Sequence, residues 1–195
     1  MKNIRFHAIT TDDMKNGNGL RVVLWVAGCS HHCKGCQNPA THDVSGGKVF
    51  DAWEEALFWE CLSKSHIQGA TFSGGDPLHP ANREKIGQMC KKIKEQFPKK
   101  DIWIYTGYRV EKEKDSFVFT DGTEKFSLDW LSFVDVIVDG PFKEEIRKQD
   151  QKSHLLVKWC GDSSQRVIDV GKTIQSGTVT ILEGCKPIEK GKESD

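Results

Sequence analysis

The sequence predicts a single α/β domain built on a parallel sheet and curved into a partial α/β barrel. Short runs dense in β-branched and aromatic residues alternate with longer runs on helical spacing, the pattern of strands joined by crossover helices. Four of the strand-like runs stop at glycine, which suits a sheet edge where loops turn sharply. The third observation is length: 195 residues fill one core but fall short of the ~250 that a full eight-unit barrel needs.

Residues 20–27 (LRVVLWVA) form the first strand, which ends at Gly28 and leads into a Cys/Gly/His-rich loop reaching about Asn38. Asp51 is placed to cap a helix running to about Ser63, with Trp53, Leu57 and Cys61 on one stripe. On that spacing Cys61 is a core thiol. Residues 69–73 (GATFS) form a brief strand entering Gly74–Gly75. Residues 80–97 fit a helix whose stripe of Ile86, Met89, Cys90, Ile93 and Phe97 puts Cys90 in the core. Residues 101–106 (DIWIYT) form a strand closed by Gly107. Residues 110–127 are charged and irregular with a turn at Asp121–Gly122, a surface excursion or small hairpin. Residues 133–139 (FVDVIVD) alternate into a strand closed by Gly140–Pro141, and 154–159 (HLLVKW) and 178–182 (TVTIL) are weaker strand candidates. From Lys186 the chain is polar and Lys/Glu-rich, which reads as a disordered tail after a domain spanning 1–185.

Lys and Arg number 28, as do Asp and Glu, so the formal net charge is zero. A neutral chain has no long-range field to gather nucleic acid or an anionic membrane. No stretch reaches the ~18 apolar residues of a membrane span, and the first sixteen residues lack the apolar run of a signal peptide. These features predict a cytoplasmic protein.

Three of the seven cysteines, Cys29, Cys33 and Cys36, fall in one C-x3-C-x2-C loop, while Cys61, Cys90, Cys160 and Cys185 stand singly. A disulfide framework would spread paired cysteines along a small secreted chain. A cubic 4Fe-4S cluster needs an outer ligand on each iron, usually a Cys thiolate. Three cysteines leave one iron open to a substrate such as S-adenosylmethionine (SAM), whose amino and carboxylate groups can chelate it. A Cys3His zinc site, with His31, His32 or His42 as fourth ligand, is the alternative reading.

This loop resembles that of the radical SAM superfamily, and the likeness narrows to the activases of anaerobic ribonucleotide reductase. Asn16-Gly17-Asn18-Gly19-Leu20-Arg21 is similar to their N-G-x-G-x-R, with Asn18 where many relatives carry proline. Ser73-Gly74-Gly75-Asp76-Pro77-Leu78 resembles their glycine-rich SAM motif, although a tight turn capped by Asp76 or Asn82 would need the same residues. Residues 101–108 and 135–142 match as well, with Thr106 and Asp139 either lining the SAM pocket or capping turns. Trp159, Gly161, Ser163, Gln165 and Arg166 follow the family's W-x-G-x-S-x-Q-R.

The resemblance implies a partial radical SAM barrel, with a 4Fe-4S cluster on Cys29, Cys33 and Cys36. It also implies SAM contacts from Gly35, Cys36, Gln37, Gly74, Gly75 and Asp76, the last as acceptor for the ammonium group. The implied activity is that of an oxidoreductase that cleaves SAM reductively and puts a glycyl radical on the large reductase subunit. Its electrons would come from a small reductant protein such as flavodoxin. An activase of another glycyl-radical enzyme, of the pyruvate formate-lyase type, would share the cysteine loop. So would a zinc-stabilised interaction module or an electron carrier that binds no SAM.

Overall fold

Side-chain alternation decides which face of the central sheet each residue serves. A computed structural model of the chain describes residues 3–185 and 188–189. Its first strands are β1 (Arg5–Asp13), β2 (Arg21–Val26) and β3 (Lys48–Val49), followed by α1 (Ala52–Ser63), β4 (Gly69–Gly74), α2 (Arg83–Gln96) and β5 (Asp101–Thr106). A small unit of β6 (Arg109–Glu113), β7 (Ser116–Thr120) and β8 (Lys125–Phe126) comes next. The chain returns through β9 (Val136–Asp139), α3 (Glu144–Ser153), β10 (Leu155–Leu156), β11 (Arg166–Asp169), α4 (Val170–Ser176) and β12 (Ile188–Glu189).

The seven-stranded sheet has the order β11-β9-β5-β4-β2-β1-β3. Its centre, β9, β5, β4 and β2, is parallel, and β11, β1 and β3 add antiparallel edges. Val22, Leu24 and Val26 of β2 join Ala70, Phe72, Ile102, Ile104 and Ile137 in the larger core, which includes residues of α1 and α2. Trp103, Val136, Val138 and Val167, offset by one residue along their strands, form a second apolar cluster with Cys185. Arg21 is fully buried where β2 begins, donating to Asp101, Thr71 Oγ1 and the carbonyls of Ala70 and Asn18.

The four central strands and both long helices lie close to where the sequence predicts them. Asp51 caps α1 by accepting from the amides of Trp53 and Glu54. The buried face of α1 differs from the expected stripe. Trp53 is 79% exposed and Leu57 41% exposed, while Phe58, Cys61 and Leu62 are buried. Packing turns the helix because Phe58 stacks on Phe72 with 6.1 Å between ring centroids, and Glu55 is drawn to Lys85 and Lys92 of α2. Asn82 does not cap α2 through its side chain but donates to the carbonyls of Ala27 and Asp76.

Residues 110–127 form more than a surface excursion. They build a three-stranded antiparallel sheet whose Val110 and Phe119 are buried in the main core. Strand β10 keeps two residues of the expected 154–159, and 178–182 contributes only the bridge Ile168–Ile181. Of the tail expected from Lys186, Ile188–Glu189 pair with β10, and the remainder lies outside the described residues. No helix among the described residues is long and apolar enough to cross a membrane.

Candidate functional site

Strands β2, β4, β5 and β9 all end at one edge of the sheet, and the cysteine loop leaves β2 there. Between loop and strand ends lies a cavity of about 460 Å³. Cys29, Cys33, Cys36, Gln37, Gly74, Gly75 and Asp76 line it, so the structure brings together nearly every site residue expected from the sequence. Gly35 is the exception and is not among the lining residues. Its backbone is left-handed, and a Cβ there would stand 3.0 Å from the Glu144 side chain, so its glycine serves loop packing.

Close backbone contacts tie the loop to the strands. The amide of Asp76 donates to the Gly28 carbonyl at 2.7 Å, and Gly28 N donates to Thr41 O at 2.8 Å. A Cβ on Gly75 would stand 2.5 Å from the Gly28 carbonyl oxygen and 2.9 Å from that of Thr41. Glycine is required here to admit the protein's own cysteine loop. A Cβ on Gly107 would strike the His31 ring.

Asp76 is also engaged by the protein itself. Its buried carboxylate accepts from Leu78 N at 2.8 Å, Thr106 Oγ1 at 3.0 Å and Gly107 N at 2.9 Å, and is 2.8 Å from His31 Nε2. Asp76 is therefore a hub joining the cysteine loop to the ends of β4 and β5. Burial opposes a charge on His31, but the Asp76 bond together with the charges of Asp76, Asp121 and Glu124 outweighs it and raises the imidazole pKa. Asp139, unlike Asp76, is not among the residues lining the cavity. It is fully buried and held by Arg109, Arg166 and the amide of Val110.

Burial, reinforced by the Asp76 charge, pushes the Cys29 thiol up to about 12, and burial also raises Cys33. Bound iron would reverse that preference, because a metal's positive charge stabilises the thiolate. Among the described residues no three His, Cys, Asp or Glu side chains form a group that could hold a single metal ion, whereas a four-iron cluster takes its thiolates on separate irons. His31 is engaged by Asp76, and the rings of His32 and His42 pack edge to face at 5.2 Å.

The far wall of the cavity contains residues that the motifs did not single out as a site. Trp25, Tyr105, Trp159, Cys160 and Asn16 all line it. Gln165 secures this wall by accepting from Gly161 N at 2.7 Å and donating to Gly140 O at 2.8 Å. The signal for Tyr105 was available: in DIWIYT it alternates away from Ile102 and Ile104. His42 and Tyr105 line the cavity, and each has a buried side-chain atom without a hydrogen-bond partner, His42 Nε2 and Tyr105 Oη.

Residues 15–168 match the family model described as a 4Fe-4S single cluster domain. An anaerobic ribonucleoside-triphosphate reductase-activating protein of Enterobacteria phage T4 is 39% identical over 155 residues, covering 80% of this chain and 87% of its own length. The Haemophilus influenzae protein of that name is 38% identical, with 78% and 90% covered. The Escherichia coli protein is 35% identical over 166 residues, with 84% and 97% covered. With a family model spanning most of its length and relatives matched nearly end to end, the chain belongs to the 4Fe-4S single cluster family and, within it, to the anaerobic ribonucleoside-triphosphate reductase-activating proteins.

Proposed function

We propose that this protein is a radical SAM activase that generates the glycyl radical on the large subunit of anaerobic ribonucleoside-triphosphate reductase. One observation carries the reading: three loop cysteines, a double-glycine turn and an aromatic wall share a single cavity at the carboxyl edge of a parallel sheet, where α/β ligand sites form. The names of the relatives support the partner. The run of four parallel strands is taken as a partial radical SAM barrel, with residues 1–185 as its domain.

The donor set fits the implied groups. Cys29, Cys33 and Cys36 would hold the cluster, and Gln37, Gly74 and Gly75 would meet the methionine half of SAM. When bound, the cluster supplies one electron to SAM, whose sulfur–carbon bond breaks to leave methionine and a deoxyadenosyl radical able to take a glycine Cα hydrogen. The chain's own residues do the positioning. Asp76 and His31 hold the loop against β5, Gly75 and Gly107 allow its close approach, and the 159–165 segment shields the cavity from water. A small reductant such as flavodoxin suits a cytoplasmic protein of this kind.

The test is made on anaerobically reconstituted protein, given SAM, a reductant and the reductase large subunit. Electron paramagnetic resonance should show a radical that disappears when the subunit's radical-site glycine is replaced by alanine. Single Ala replacements at Cys29, Cys33 or Cys36 should abolish iron loading and the radical, whereas Cys61→Ala and Cys90→Ala should keep the iron. SAM cleavage without a glycine-dependent radical would overturn the partner, and full iron loading in Cys33→Ala would overturn the ligand set.

A further inference from the structure

Trp159 is held in a backbone conformation that tryptophan rarely adopts. The amide of Cys160 donates to the Val157 carbonyl at 3.4 Å, closing a turn with Trp159 at its third position. Its φ is +68°, in the left-handed region where such turns ordinarily carry glycine or asparagine. Among the described residues, the other non-glycine positions with positive φ are Asp12, His32, Lys114 and His154, all polar. A large ring at such a position is strained, and strain of this kind collects where ligands are clamped.

Packing supplies the restraint. The Trp159 ring meets Trp103 edge to face with 5.7 Å between centroids, and the Lys158 ammonium stands 5.1 Å from its centre. Just beyond it, the Gln165 side chain joins the amide of Gly161 to the carbonyl of Gly140. Trp159 is nonetheless only half-buried, and it lines the cavity. On β5, Trp103 precedes Thr106 by three residues, about 10 Å of strand. Thr106 is bonded to Asp76, the residue tied to the cysteine loop. Contact with Trp103 therefore sets the indole toward the far end of the cavity from that loop.

We infer that Trp159 is a specificity-determining residue that presents its indole to the adenine of SAM. The inference rests on the SAM reading above, in which the methionine half sits at the cysteines and the nucleoside extends along the cavity. Every nucleobase has a π face that stacks on an aromatic side chain, whereas the methionine half has none. The closed turn fixes the ring before the ligand arrives, so little ordering remains to oppose binding.

Two replacements separate the aromatic face from bulk alone. Trp159→Phe keeps a ring, and Trp159→Leu keeps only apolar volume. SAM is titrated into anaerobically reconstituted holo-protein, with iron and sulfide measured alongside. The SAM Kd should rise roughly ten- to a hundredfold in Trp159→Leu and by less than about fivefold in Trp159→Phe. Binding of 5′-deoxyadenosine should weaken in step with SAM, while methionine binding, read from the cluster's paramagnetic resonance spectrum, should not change. Iron and sulfide should stay at parental levels in both variants. Parental SAM affinity in Trp159→Leu, an equal loss for methionine, or loss of iron in either variant would overturn the assignment of Trp159 while leaving the activase reading intact. Failure of the parent protein to bind SAM would overturn both.

Discussion

Asp76 shows how far residue-level chemistry is legible in sequence. The cysteine loop could be read directly, because its candidate ligands are local and their spacing carries the chemistry. A carboxylate after two glycines likewise marked a site, but its partners His31, Thr106 and Gly107 are 30 to 45 positions away in the chain. No local pattern encodes such bonds. The role follows from packing: Asp76 is a buried acceptor with four donors around it, and its loss would leave donors unpaired. Asp76→Asn presents an NH2 group to some of those donors. It should lower stability by about 2–3 kcal/mol, and it should reduce iron loading because His31 is no longer held. Chemical denaturation and iron analysis check this. A variant with parental midpoint and full iron would mean that the carboxylate is not a hub.

Elements buried on both faces announce themselves, and elements with one wet face do not. Strands β2, β4, β5 and β9 appear as continuous apolar runs because core covers them on both sides. Strand β1 is an antiparallel flank with several exposed residues, and α3 buries only Asp150, so neither shows an apolar period. Strand β11 is four residues long and was visible only as part of a family motif. In α1 the helix was clear from its cap, but the stripe was ambiguous because Trp53, Leu57 and Phe58 compete for the inner face. Tertiary contact with Phe72 chose Phe58. Phe58→Ala should therefore cost about 3–5 kcal/mol, while Trp53→Ser should stay within about 0.5 kcal/mol. Urea midpoints of the two variants distinguish the faces, and the reverse ranking would restore the stripe expected from sequence.

At the scale of the whole molecule, stability and cofactor chemistry are separable. Both apolar clusters form without Cys29, Cys33 or Cys36, and the buried Arg21–Asp101 pair lies at the opposite strand ends, near β2's first residue. Zinc fingers, by contrast, unfold without their metal. Stripping iron anaerobically with a chelator should leave the far-ultraviolet circular dichroism of the sheet and helices nearly unchanged, with a lowered thermal midpoint. Collapse of that spectrum would mean that the loop ligands help hold the core. The overall class was readable because alternating strands and helices leave few architectures. The antiparallel edges were not, since edge strands add pairing without adding a core.

The far wall of the cavity also has a consequence in time. Trp159, Cys160 and Gln165 emerge from the ribosome well over a hundred residues after Cys36. At 5–20 residues per second, the cysteine loop spends roughly six to twenty-five seconds of synthesis without the segment that completes its cavity. During that interval its thiols are open to oxidants and to competing metals. Cluster insertion belongs after translation is complete, and a cell making this protein in air would damage the nascent loop before the finished site.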